Sequence, residues 1–226
     1  MRTIEVAHLL PDLTTKTTRH RVPRLPVYEE AAAAFARGCI VQTVDGPVAV
    51  EDLMPGDYVE TSRGPQAITW IGSTQLVTGP GGQGSSLTHL VRVMADSLGP
   101  SRPQSCLVLG QGARLLHASQ ERAADLASAG VLCPARDFVD GVSVIELMPP
   151  SPVQMFHIAF RRHATFNIGG IEAESYHPGA DIHERLGKNA RQLLLSLFPH
   201  LTALGDFGPV TLPRASRDRL ERVGAF

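Results

Sequence analysis

The sequence is short of several things, and each absence removes a class of function. Cysteine occurs only at Cys39, Cys106 and Cys133, an odd count at wide spacing. No CxxC pair is present, which argues against a zinc knuckle or a dithiol redox motif, and an odd count disfavours a disulfide framework. A reducing, cytoplasmic location is the expectation. Aromatic residues are 5% of the chain, too few for a base-stacking surface. Charge of one sign is missing too: 21 Lys and Arg against 22 Asp and Glu leave a formal net charge of −1. No overall field draws the chain to nucleic acid or to an acidic lipid surface. No run approaches the roughly 18 apolar residues of a membrane span. The N-terminus holds no apolar stretch of signal-peptide length.

What is present is a globular composition. The chain has 226 residues, 43% of them hydrophobic, which suffices for one domain with appended arms. Residues 1–26 carry Lys16, Arg19, Arg21 and Arg24 and are broken by Pro11, Pro23 and Pro26. They read as an irregular, loosely docked arm. A helix is expected over 27–38, with Pro26 at its start, Glu29 and Glu30 in its first turn, four alanines, and Gly38 as its stop.

From Cys39 the pattern changes to short β-branched runs cut by turns at Asp45-Gly46, Pro55-Gly56-Asp57 and Arg63-Gly64-Pro65. Asp52 and Asp57 read as satisfying turn amides, and Trp70 as core. The Gly/Ser-rich stretch from Ser73 to His89 lacks a Gly-Lys-Ser/Thr sequence and reads as a surface loop. Further strand-like runs are "LVRV", "CLVL", "RLLH", "VLCP" and "VSVIEL", with a short helix expected over Ser119–Gly130. "VQMFHIAFRRHATFNIGGIEAESYHPG" reads as two strands with a turn at Gly169-Gly170. Leu186, Leu193, Leu194, Leu197 and Leu201 recur at near-helical spacing until Pro199 interrupts them. A short C-terminal helix packed on a β body is expected there.

"GPVAVEDLMPGDYVE" followed by "WIG", and later "HIAFRRH" followed by "GIEAESYHPG", resemble the bacterial Hint (hedgehog/intein) domains. The resemblance implies an all-β, horseshoe-shaped fold of short antiparallel strands with short peripheral helices. It divides the chain into an arm (1–33), a Hint-like β domain (34–179) and a C-terminal helical extension (180–226). It also implies self-cleavage chemistry, in which an opening Cys or Ser attacks the carbonyl before it and a later histidine assists the leaving nitrogen.

The resemblance can be carried over residue by residue. Relatives open "CFxxGTxIxTxDG", and this chain reads "AFARGCIVQTVDG", so Phe35, Gly38, Thr43, Asp45 and Gly46 match. The nucleophile position is then Ala34, and Cys39 falls on the family's threonine. Relatives place a histidine in a second block before "RVLL". Here "GQGARLL" puts Ala113 at that position. The third block keeps His157 and His163, with Arg161 where an acidic residue often stands. The end reads "IEAES" rather than His-Asn, and Asn167 lies five residues short of it. The resemblance thus implies a Hint fold that has lost self-processing and serves as a folded module for a protein partner.

Two other readings stand beside it. Cys39 can be a shifted nucleophile, making an N-to-S acyl shift and releasing residues 1–38, or it can be core, as free cysteines at strand starts commonly are. The basic stretch 16–24 can dock an acidic partner. His157 and His163, six apart, would share one face of a single strand. His177 before Pro178-Gly179 reads as fixing a turn. No HxH or HExxH spacing joins His157, His163, His177 and His183, so neither a metal nor a cofactor is expected.

Overall fold

The computed structural model describes residues 1–77, 89–117 and 130–216. The helix expected at Ser119–Gly130, apart from its stop at Gly130, and most of the Gly/Ser-rich stretch lie outside the described residues. Among the described residues fifteen strands follow one another: β1 Arg2–Leu9, β2 Thr15–Val22, β3 Phe35–Ala36, β4 Ile40–Thr43, β5 Gly46–Ala49, β6 Tyr58–Val59, β7 Gln66–Leu76, β8 Leu90–Val93, β9 Leu107–Leu109, β10 Arg114–His117, β11 Val131–Pro134, β12 Val144–Leu147, β13 Val153–Phe160, β14 Thr165–Ile168 and β15 Ile171–Glu174. Every ladder between these strands is antiparallel. The main path runs β11-β10-β15-β14-β4-β6-β7-β13-β3-β9-β8-β12 and does not close into a barrel. Strands this short curve readily, which gives the all-β architecture the sequence implies.

The turns fall where glycine marks them. Gly169 and Gly170, both at positive φ, form the two-residue loop that sets Ile168 opposite Ile171. Asn167 closes that loop by accepting the Gly170 amide at 3.0 Å. At the Pro55-Gly56 turn the Asp57 carboxylate accepts the Met54 amide at 2.7 Å.

Three expectations need correction. Residues 1–26 are not an irregular arm. β1 and β2 form a hairpin, and β1 pairs with β7 from Ile4↔Thr74 to His8↔Trp70. The alternating buried pattern of β1 was the available signal, masked by the prolines and charges around it. The helix over 27–38 is only α1, Pro26–Glu29. The alanines beyond it are fully or nearly buried and lead into β3, so tertiary packing overrides their helix propensity. The stretch from Val153 makes three strands, because Phe160 ends β13 before His163 is reached.

β13 is central and buried on both faces. Phe156, Ile158 and Phe160 face a core shared with Ala34, Phe35, Cys39, Ala113 and Phe166. Ala159, on the other face, joins a second core around Trp70, Tyr176 and Phe198. Into that second core pack Ile4, Val6 and Val22 from the N-terminal hairpin. Leu194, Leu197 and Phe198 reach it from α3 (Lys188–Ser196) and the residues after it, and Ile182 from α2 (Ile182–Arg185). The C-terminal helix therefore packs on the β body, and Pro199 follows its end.

Candidate functional site

The site begins with two residues of backbone. β3 is wedged between β13 and β9, with Phe35 opposite both Phe156 and Leu109. Just before it, the Ala34 amide donates to the Phe156 carbonyl at 3.0 Å. The loop between β9 and β10 then closes on the same place. The Gly110 amide donates to the Ala34 carbonyl at 2.8 Å, and the Gly112 amide to the Ala33 carbonyl at 2.9 Å. A Cβ on Gly110 would lie 2.3 Å from the Ala33 oxygen, and one on Gly112 would lie 2.3 Å from the Glu30 oxygen. Only glycine permits so close a backbone approach. Ala113 follows, buried, its amide on the Gly110 carbonyl and its carbonyl taking the Ala135 amide. Ala34 and Ala113, far apart in sequence, thus belong to two segments bonded backbone to backbone. Both present methyl groups, which neither attack a carbonyl nor transfer a proton.

His157 lies on β13 and is buried. Its Nδ1 is 2.9 Å from the Glu30 carbonyl. A carbonyl only accepts, so Nδ1 carries the proton and Nε2 is a buried lone pair with no hydrogen-bond partner among the described residues. Burial pushes the ring down to about 4, so it is neutral at pH 7. The ring packs edge-on against Phe35 and Tyr176.

His163 is not on the same strand. It sits in the loop after β13, in a second polar cluster that sequence reasoning missed. The Thr211 amide donates to its Nδ1 at 2.9 Å, so Nε2–H donates to Glu174, 2.9 Å away. Glu174 is a buried carboxylate that also accepts Arg214 Nε at 2.9 Å and faces Arg114 at 3.8 Å. Burial alone would raise its pKa. The His163 hydrogen bond, with Arg214 and Arg114, outweighs burial and holds it below the usual carboxylate range. No local signal marked Glu174, since its partners come from 11 and 40 residues away.

His177 fixes a turn, as its position before Pro-Gly suggests. Its Nδ1 accepts the Gly179 amide and its Nε2 faces the Gly208 carbonyl, each at 3.0 Å. His157, Glu174, Tyr176 and His177, with Glu30 and Arg114, line a cleft of about 10 Å³, the size of one water. No group of three or more His, Cys, Asp or Glu among the described residues could hold a metal ion.

Cys39 stands apart from this cleft. It is 2% exposed, with its sulfur 3.7 Å from the Val108 carbonyl. Burial pushes the thiol up to about 11, with Glu51 and Cys106 adding to the rise. At pH 7 only about one molecule in ten thousand carries the thiolate that attack requires.

An open antiparallel β fold, with its third strand clasped by a glycine loop and a buried histidine beside it, defines the class. The chain belongs to the Hint domain family, whose model matches residues 33–180. It is similar to a bacterial intein-like domain from Clostridium thermocellum (15% identity, TM-score 0.39, covering 64% of this chain and 99% of that one). It is also similar to the gp41-1 intein (12% identity, TM-score 0.38, covering 64% and 98%). No curated protein matches the chain. No helix among the described residues is long and apolar enough to cross a membrane.

Proposed function

We propose that this chain is a Hint fold that no longer processes itself and is kept as a folded module for binding a protein partner. The observation that carries the reading is the clasp around Ala33-Ala34. The second-block loop still holds both carbonyls, yet the nucleophile position is Ala34 and the histidine position is Ala113. The amide donors of an acyl-transfer site are in place without the groups that would use them. Residues 34–179 are the Hint-like body in this reading, and 1–33 and 180–226 are additions, of which the β1–β2 hairpin and residues between Ile182 and Phe207 cover its Trp70 face. Asn167 is engaged in the β14–β15 turn, away from any role as a terminal leaving group.

The alternative nucleophile finds little support. Cleavage before Cys39 needs a thiolate and a base, and Cys39 is buried, protonated and beside a carboxylate. The Gly38 amide is held at 2.7 Å by Glu51. The test is the intact mass of purified full-length protein, incubated for a day with and without thiol and hydroxylamine. A single unchanged mass is expected. A fragment beginning at Ala34 or Cys39 would overturn the reading, and a Cys39→Ala variant that still cleaves would place the nucleophile elsewhere.

A further inference from the structure

The β10–β11 edge, the turn after His177 and the segment Val210–Ala215 line an open groove of about 680 Å³. Three guanidinium groups line it: Arg114, Arg185 and Arg214. Much of the remaining wall is apolar, with Leu132, Val210, Leu212 and Pro213. The size and the mixture, few polar groups on an apolar wall, are those of a small-molecule site.

The three cations are incompletely matched from within the protein. Arg214 uses Nε on Glu174 and Nη2 on the His177 carbonyl. A Cβ at Gly179 would lie 2.8 Å from Asp181 Oδ1, 3.2 Å from Arg214 Nη1 and 3.9 Å from Arg185 Nη1. The glycine therefore leaves one space on which two guanidinium nitrogens and the Asp181 carboxylate converge. Arg114 is 3.8 Å from both Glu30 and Glu174, beyond hydrogen-bonding distance of either, although its side chain is only 20% exposed. Its charge is disfavoured first by burial and then by Arg214. The nearest acid in the groove, Asp181, holds Arg185 loosely at 3.9 Å, with both side chains about half exposed.

We infer that this groove binds an organic carboxylate with an apolar body, its head group between Arg185 and Arg214 with Arg114 behind, and its body against Leu132, Val210 and Leu212. Planar guanidinium forks suit a carboxylate, and the apolar wall asks for something inorganic phosphate does not bring. The acid arrives either as a free small molecule or as the carboxyl end of a peptide chain.

The probes are phenylacetate, N-acetyl-Ala-Ala-Phe, the amides of both, and inorganic phosphate, titrated into the full-length protein by calorimetry. The acids should bind at least about tenfold more tightly than their amides and than phosphate. Arg185→Gln, at a half-exposed position, should weaken the acids about tenfold and leave the amides unchanged. Arg114→Gln should do the same if it folds, and Arg185→Gln carries the test if it does not. Asp181→Asn should tighten the acids by about threefold by removing the competing carboxylate. A peptide acid tighter than phenylacetate identifies a chain end as the ligand, and the reverse identifies a free acid. Equal binding of acid and amide, preferential binding of phosphate, no binding at millimolar concentration, or indifference to Arg185→Gln would each overturn the proposal.

Discussion

Gly72 shows how one residue sets the geometry of a core. It lies two positions after Trp70 on β7, and a Cβ there would come 2.2 Å from Trp70 Cη2. The absent side chain is therefore what lets the indole lie flat along its own strand. From that position Trp70 stacks on Phe198 at 4.4 Å and donates Nε1–H to the Leu197 carbonyl at 2.6 Å. Gly72→Ala should push the ring off its seat and cost roughly 1–3 kcal/mol, as overpacked cores do. Trp70 is the only tryptophan, so its emission reports the shift directly, and urea denaturation gives the stability. An unchanged emission spectrum with unchanged stability would show that the indole repacks freely. Cys39 makes the opposite point at the same scale. A cysteine at a strand start invites a chemical role, and its burial supplies a packing one.

At the scale of elements, the N-terminal hairpin departs furthest from what the sequence suggested. Lys16, Arg19, His20 and Arg21 lie on β2, the outer strand of the hairpin, while Ile4 and Val6 of β1 are buried beside Trp70. Cations along an exposed edge strand block pairing with other chains, which accounts for the basic stretch without an acidic partner. Val6→Asp should therefore cost about 3 kcal/mol or more and redden Trp70 emission, since it buries an unpaired carboxylate. Thr17→Asp, on the exposed outer strand, should change stability by less than about 0.5 kcal/mol. Two silent variants would mean a loosely docked segment after all. The β meander, the Gly169-Gly170 turn, the C-terminal helix and the core tryptophan were legible because each rests on local chemistry. The hairpin's docking, the truncation of the helix after Glu29 and the Glu174 cluster were not. Each depends on partners far along the chain: Arg2 on Glu29, β1 on β7, Arg214 on Glu174. The site was half legible in the same sense. Aligned motifs located Ala34, Ala113, His157 and His163, but only the fold shows that the first two meet through Gly110 and Gly112. His157 and His163 lie on different elements and are linked through Glu174, which lines the cleft beside His157 and accepts from His163.

At the scale of the whole molecule, two buried histidines and one half-buried one join the cores to the pH of the solution. His157, His177 and His200 are each pushed down to about 4, chiefly by burial, from the ordinary value of 6.5. Between those two values the unfolded chain takes up protons that the folded chain refuses. Stability is therefore at its full value above pH 6.5 and falls steadily as the pH drops toward 4, by roughly 3 kcal/mol for His157 alone. At lower pH Glu174 continues the loss, because its depressed pKa stabilises the folded state only while the carboxylate stays ionised. The stability measured by urea denaturation should accordingly be flat from pH 8 to 7 and slope downward from 6.5. Near pH 5 the slope should correspond to about two to three protons taken up on unfolding. His157→Gln removes one titrating ring, and its side-chain amide can still donate to the Glu30 carbonyl. That variant should reduce the uptake by about one proton, whatever its effect on stability at pH 8. A flat profile down to pH 5 in the wild-type protein would mean that protons reach these rings in the folded state, and that the clefts around His157 and His177 open to water on their own.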